Sequence, residues 1–209
     1  MLASPGNRIT RTRMRASILP ALLLLGCPRQ ARLDAALEGA EPPPLPAAGP
    51  CPDGGVLLGA APPSGTDLWC ALPGTSTDWV RHGPEWTWYT QGARHTVGAW
   101  DHGRRTGHAW TWREDGTLAT LGEYADGEAA GYWMHLDPSG LVVAEGSMAA
   151  GEREGTWILR EPGGGWSEGA YVRGQADDRW VEHAPDGAEL RERIWRAGRM
   201  VSQRELSGR

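Results

Sequence analysis

The segment Gly122-Glu-Tyr124-Ala-Asp-Gly127 is one of four in which a glycine precedes an aromatic residue or methionine by two positions and another glycine by five. Because self-similarity at a fixed period is the sequence signature of a repeat architecture, this pattern decides the fold. The remaining copies, the last one degenerate, are Gly98-Ala-Trp100-Asp-His-Gly103, Gly146-Ser-Met148-Ala-Ala-Gly151, Gly169-Ala-Tyr171-Val-Arg-Gly174 and Arg193-Ile-Trp195-Arg-Ala-Gly198.

Two more series of glycines keep the same period. One series opens each copy at intervals of 24 residues, and Asp178 takes its fifth place after 23. The other series follows nine positions later in every copy, so the chain carries five repeats. The opening glycines are Gly83, Gly107, Gly131 and Gly155, and the later ones are Gly92, Gly116, Gly140, Gly164 and Gly187.

Each repeat predicts a β-hairpin. In the second copy, Trp110-Thr-Trp112 alternates apolar and polar positions as a half-buried strand does. Asp115-Gly116 then provides the positive φ of a turn, residues 117–124 return as a second strand, and Asp126-Gly127 leads into the next copy. Five such hairpins predict an all-β protein: an elongated, single-layer antiparallel meander of about ten strands over residues 79–200.

Glycine inside a strand normally weakens it, so its recurrence before an aromatic residue needs a structural reason. We expect the ring of a neighbouring strand to lie flat over each of these glycines. Trp133, Trp157 and Trp180 hold equivalent positions and are predicted to pack in a row on the sheet. Because one layer cannot hide both faces, exposure of other rings for recognition stays open as an alternative; these are Trp86, Trp88, Trp110 and Trp112.

These residues resemble the MORN repeat, and more closely its bacterial variant in YwqK-type antitoxin-like proteins. The resemblance rests on the openings Gly131-Tyr-Trp133 and Gly155-Thr-Trp157, the Asp-Gly turn and the glycine-x-aromatic segment. Together with the segment that begins at Cys51, the chain is similar to exported repeat lipoproteins of deltaproteobacteria such as myxobacteria. The resemblance implies a hairpin architecture and says almost nothing about biochemistry.

The first two copies depart from the pattern. Their leading tryptophan falls one place late, at Trp86 and Trp110, and Glu85 and Ala109 stand where tryptophan is expected. A shift of one residue moves a side chain to the other face of a strand, so we expect these copies to pack differently from the middle ones.

The N-terminus has the features of an export signal, over residues 1–26. Four arginines precede an apolar run that is too short to cross a bilayer. The run ends in Leu24-Leu25-Gly26-Cys27, which resembles the bacterial lipobox and implies that Cys27 is lipidated. The protein is then predicted to be exported and anchored in the cell envelope through its lipid. Met14 is an alternative start that keeps only Arg15 in the basic region.

The segments between this signal and the repeats are predicted to be a tether and a cap. Residues 27–50 include Pro42-Pro43-Pro44-Leu45-Pro46, which is typical of an extended spacer. With Cys27 assigned to lipid, Cys51 and Cys70 remain as a pair in an exported protein and favour a disulfide across the cap, residues 51–78. A metal site and a redox role are less favoured interpretations of the two cysteines, because the sequence has no CxxC motif and no paired histidines beside them. Residues 201–209 are predicted to be a tail.

Composition excludes some functions. All 21 basic residues are arginine, against 26 acidic ones, and loss of the signal peptide brings the net charge from −5 to about −9. Such a chain is a poor partner for nucleic acid. The six histidines share no ligand spacing, and no nucleophile elbow or phosphate-binding loop occurs, so we expect no enzyme activity, no metal and no cofactor.

The sequence therefore favours a non-enzymatic, lipid-anchored scaffold that binds an unidentified protein partner in the envelope. Two alternatives stay open. One is an immunity protein that neutralises a toxin outside the cytoplasm, and the other is an envelope glycan-binding module or hydrolase, because carboxylate pairs are recognised only in space.

Overall fold

The computed structural model describes residues 42, 44–45, 51–74 and 78–206. The predicted signal peptide, Cys27 and most of the predicted tether lie outside these residues. Within the described residues, the only helical element is a 3₁₀ turn over Pro52–Gly54, and no helix is long and apolar enough to span a membrane.

The fold is all-β, as predicted: one open antiparallel sheet in which every strand pairs with the next strand along the chain. The sheet has thirteen strands and not about ten, because the cap adds two strands and the chain end adds one. The predicted tail is thus largely the edge strand. The strands are β1 (Val56–Ala60), β2 (Asp67–Pro73), β3 (Trp79–Trp88), β4 (Arg94–Asp101), β5 (Arg104–Trp112), β6 (Leu118–Ala125), β7 (Glu128–Leu136), β8 (Val142–Ala149), β9 (Glu152–Arg160), β10 (Trp166–Val172), β11 (Gln175–His183), β12 (Glu189–Arg196) and β13 (Arg199–Glu205).

Two kinds of turn alternate along the meander. The hairpin from β6 to β7 is closed by Asp126 and Gly127, which have φ of 52° and 93°. Positive φ at both central residues defines the type I′ turn, whose twist matches that of the strands. Asp115-Gly116 lies in a wider loop, where the Arg113 N–H donates to the Thr117 carbonyl and the Asp115 carboxylate accepts from Thr117.

One register accounts for the opening glycines of the repeats. The opening glycine of a repeat pairs directly with the aromatic residue or methionine of its second strand. Gly107 and Gly155 have φ of 65° and 69°, and Asp178 adopts φ of 57° at the same place. Glycine accepts this left-handed conformation without strain, and aspartate is among the residues that tolerate it best. The pairs are Gly83 with Trp100, Gly107 with Tyr124, Gly131 with Met148, Gly155 with Tyr171, and Asp178 with Trp195.

The two faces of the sheet carry different packing. We call the face that bears Trp133 and Trp157 the ladder face, and the other the reverse face. The main apolar cluster lies on the reverse face, and its buried members are Trp86, Val97, Trp110 and Leu121. A smaller cluster on the same face contains Met134, Leu136 and Val142.

The cap is continuous with the repeats. Cys51 and Cys70 form a disulfide with a Cα–Cα distance of 5.5 Å, and both are buried. The bond ties the Pro52–Gly54 turn to β2, which pairs with β3 of the first repeat. The predicted cap therefore extends the sheet.

Candidate functional site

Tryptophan rings cover glycines on the ladder face in three successive repeats. A Cβ added to Gly122 would lie 2.1 Å from the Trp133 ring, and one added to Gly146 would lie 2.5 Å from the Trp157 ring. Gly169 meets the ring of Trp180 in the same way, at 2.2 Å. A ring can come this close only because glycine has no Cβ. Each ring therefore lies flat on the backbone of the preceding strand.

The indole N–H groups fix these rings in place. Trp157 donates to the Ser147 carbonyl at 2.8 Å, and Trp180 donates to the Ala170 carbonyl at 3.0 Å. Trp157 is fully buried although the sheet is one layer thick. The Arg153 guanidinium lies 4.4 Å from the centroid of that ring and covers it. Where the tryptophans of the repeat are present, their rings therefore leave no open space above the glycines of the ladder face.

The row is open in the first two repeats. Ala109 occupies the position of the ring that would cover Gly98, and the nearest atom to a Cβ at Gly98 is the Ala109 Cβ, 3.9 Å away. A cavity of about 110 Å³ lies there, and we call it the Gly98 pocket. Its walls include Glu85, Gly98, Trp100, Ala109, Tyr124 and Trp133.

Glu85 stands in the tryptophan position of the first repeat and is buried, with 4% exposure. The Arg81 guanidinium pairs with one of its carboxylate oxygens at 2.8 Å. The Trp100 indole donates to the other oxygen at 2.7 Å, and Arg105 lies 4.0 Å from that same oxygen. A buried carboxylate requires such partners, and with both oxygens engaged it holds the pocket wall in place.

Arginines and aromatic rings alternate along this part of the ladder face. The Arg81 guanidinium lies 5.0 Å from the Trp69 ring and 5.2 Å from the Trp100 ring. Arg105 lies 5.2 Å from both Trp100 and Tyr124. Each such cation–π contact contributes about 0.5–1 kcal/mol at a partly exposed position. The stack gives the Gly98 pocket a rigid aromatic wall and a cationic rim.

The one-residue shift of Trp86 and Trp110 places both rings on the reverse face. They are buried in its main cluster, with 2% and 5% exposure, and Trp88 and Trp112 pack against that cluster. None of these four rings is an exposed recognition site. The exposed aromatic side chains among the described residues are Trp79 and Tyr132.

The structure also brings together residues that the spacing of histidines did not indicate. His82, Asp101 and His102 offer ligand atoms within 4.8 Å of one another, near the turn between β4 and β5. His82 and His102 are 20 residues apart and belong to different strands and turns. Only the pairing of β3 with β4 makes them neighbours, so no local motif marks them.

The departures of Glu85 and Ala109 from the repeat are visible in the sequence, but by themselves they do not identify a pocket. The signal was present, since a missing tryptophan above a retained glycine leaves a space. The parts played by Arg81 and Arg105 had no sequence signal, because they depend on which rings the register places beside them.

No protein-family model matches the chain, and no curated protein shows significant similarity to it. Among solved structures, one chain of the "Glycosylation Associate Protein (Gap123) complex" from Streptococcus agalactiae is similar over 53% of this chain and 19% of its own length. Its sequence identity is 16% and its TM-score is 0.30.

Proposed function

We propose that this protein is a lipid-anchored scaffold of the cell envelope that binds another protein, without catalysis, through the Gly98 pocket. The observation that carries the proposal is that the pocket repeats the geometry under Trp133, Trp157 and Trp180, while the repeat that follows Gly98 supplies only Ala109. A site that accepts indole three times within one chain is suited to an aromatic side chain that comes from elsewhere.

The size and chemistry of the pocket support an aromatic occupant. An apolar cavity of about 150 Å³ accommodates benzene. The Gly98 pocket has a volume of about 110 Å³ and opens to the surface, so it can hold part of one aromatic ring. The backbone of Gly98 forms the floor, and Trp100 and Tyr124 flank it. Aromatic side chains that enter well-packed pockets are the usual energetic centres of protein interfaces.

The rim supports a partner with an acidic group beside its aromatic residue. Arg105 is partly exposed and lies 4.0 Å from Glu85, whose oxygens are shared with Arg81 and Trp100. Its guanidinium therefore retains donors that can bind a carboxylate. An aromatic residue next to aspartate or glutamate would satisfy both the pocket and the rim.

The envelope location rests on the N-terminal sequence. Arginines precede the apolar run, and the lipobox-like ending places Cys27 at the start of the mature chain. Replacement of Cys27 by serine, followed by cell fractionation, tests the anchor. We expect the variant to leave the membrane fraction, and unchanged membrane association would contradict lipidation.

The pocket is tested by filling it. Ala109→Trp restores the tryptophan of the repeat and should cover Gly98 with the protein's own ring. Val172→Ser, at an exposed position on another part of the sheet, serves as the matched control. We expect proteins from envelope extract to be retained by the wild type and the control and to be lost with Ala109→Trp.

A small probe separates the pocket from the identity of the partner. Free indole is titrated into the protein while amide chemical shifts are followed by NMR. We expect shifts at Gly98 and Ala109 in the wild type and none at position 98 in Ala109→Trp. Equal retention of protein partners by all three chains, or retention of glycan alone, would contradict the proposal.

A further inference from the structure

The described part of the chain contains one group of side chains with the donor set of a transition-metal site. The His82 Nδ1 lies 3.3 Å from an Asp101 carboxylate oxygen, and the His102 Nδ1 lies 2.6 Å from the same oxygen. The two imidazole rings meet edge to face with centroids 4.7 Å apart. The three donors thus converge at the turn between β4 and β5.

The central histidine is held from behind by a second carboxylate. His82 is buried, and its Nε2 lies 2.8 Å from an Asp53 oxygen. Because a carboxylate accepts, we assign the proton to the Nε2; in this tautomer the Nδ1 lone pair is directed toward Asp101 and His102. A carboxylate behind a ligating histidine is the usual support of metal sites, since it fixes the ring and increases its basicity.

The backbone of Asp53 is tied to the fold, while its side chain is exposed. Asp53 belongs to the Pro52–Gly54 turn and lies two residues after Cys51, which is bound to Cys70. The support for His82 is therefore crosslinked to β2, while His82 lies on β3. Asp101 ends β4 and His102 begins the next turn, so the group joins four segments of the first repeat and the cap.

We propose that His82, Asp101 and His102 bind a divalent transition metal of the zinc class, with Asp53 as the supporting carboxylate. Zinc bonds of about 2.0–2.1 Å at tetrahedral angles require donor separations of about 3.3 Å. The distance between His82 and Asp101 already meets this value. Asp101 and His102 are exposed, so the carboxylate has room to move away from the nearer imidazole.

The donor set defines the class of metal. Two imidazoles and one carboxylate suit zinc, copper and nickel, whereas magnesium and calcium require several oxygen ligands. A backbone N–H, that of His102, also points at the His82 Nδ1 at 3.3 Å, and the metal replaces this long contact. The fourth position is left to water or to a ligand from another molecule.

The test is a Zn²⁺ titration of the tag-free, full-length chain with its disulfide intact, in competition with a chromophoric chelator. We expect one Zn²⁺ per chain and no competition from Mg²⁺. His102→Asn removes an exposed ligand and suits the site because asparagine tolerates its φ of 44°. His108→Asn, also exposed and outside the group, is the matched control.

We expect at least a tenfold loss of Zn²⁺ affinity in His102→Asn and in Asp101→Asn, and a loss of about 10–100-fold in Asp53→Asn. The control should bind as the wild type does, and circular dichroism should show the same sheet in all variants. Absence of stoichiometric Zn²⁺ binding to the wild type would overturn the proposal. Equal loss in His102→Asn and His108→Asn would also overturn it.

Discussion

Because an indole ring covers Gly146 and no ring covers Gly98, we predict that alanine at these two positions changes the stability of the protein differently. Gly146 and Gly98 are equivalent in the sequence, and neither has a positive φ, so alanine fits the backbone of both. At Gly146 the new methyl group would lie 2.5 Å from the Trp157 ring. At Gly98 it would lie 3.9 Å from Ala109, which is an ordinary contact.

The loss of stability in Gly146→Ala follows from the movement that the new methyl group forces on the Trp157 ring. Contacts between carbon atoms settle at about 3.5–4.0 Å, so the Trp157 indole has to move by about 1 Å. Overpacking of this kind costs about 1–3 kcal/mol, and loss of the indole hydrogen bond to Ser147 adds about 1 kcal/mol. Replacing glycine lowers the entropy of the unfolded chain and returns about 0.4–1 kcal/mol in both variants.

We therefore expect Gly146→Ala to lower the free energy of unfolding by about 2–3 kcal/mol. Gly98→Ala should leave it unchanged or raise it by up to about 1 kcal/mol. The two variants should therefore differ by about 2–4 kcal/mol, which for a chain of this size corresponds to a difference in Tm of about 4–16 °C.

The assay is urea and thermal unfolding, followed by tryptophan fluorescence and far-ultraviolet circular dichroism. Agreement between the two probes checks that unfolding is cooperative along the array. Equal destabilisation by both alanines, or a stable Gly146→Ala, would refute the account of why these glycines recur.

Three further predictions concern stability. Ala109→Trp should raise the free energy of unfolding by about 1–2 kcal/mol, because it buries an indole against Gly98; a fall in Tm in thermal unfolding would show that the ring does not fit there. Asp178→Gly should stabilise the sheet by about 0.5–1 kcal/mol, because it relieves a φ of 57°, and urea unfolding against the wild type measures it. Burial, and then the nearby Arg153 charge, hold the pKa of His135 below its ordinary value of 6.5, so its stabilising contribution is complete above about pH 6.5 and is lost as the pH falls through the lower folded value. A histidine NMR titration with a midpoint for His135 at or above 6.5 would contradict this reasoning.

The sequence determined the class of fold because its information is local and periodic. Each of its signals indicates a backbone conformation: glycines at a constant interval, alternating apolar residues and Asp-Gly turns. Their repetition indicates that consecutive strands pair. The pairing of Cys51 with Cys70 followed from elimination within a short segment. The number of strands was underestimated because the cap and the last residues carry no copy of the repeat.

Only the tertiary structure decided the sites, because each one is assembled across strands. The Gly98 pocket needs Gly98 on β4 and Ala109 on β5, and the rings that bound it also come from β4, β6 and β7. His82 and Asp101 come together through the pairing of β3 with β4, although 19 positions separate them. A periodic sequence specifies which residues repeat, but the register and the bulges of the sheet determine which side chains share a face and which space between them stays empty.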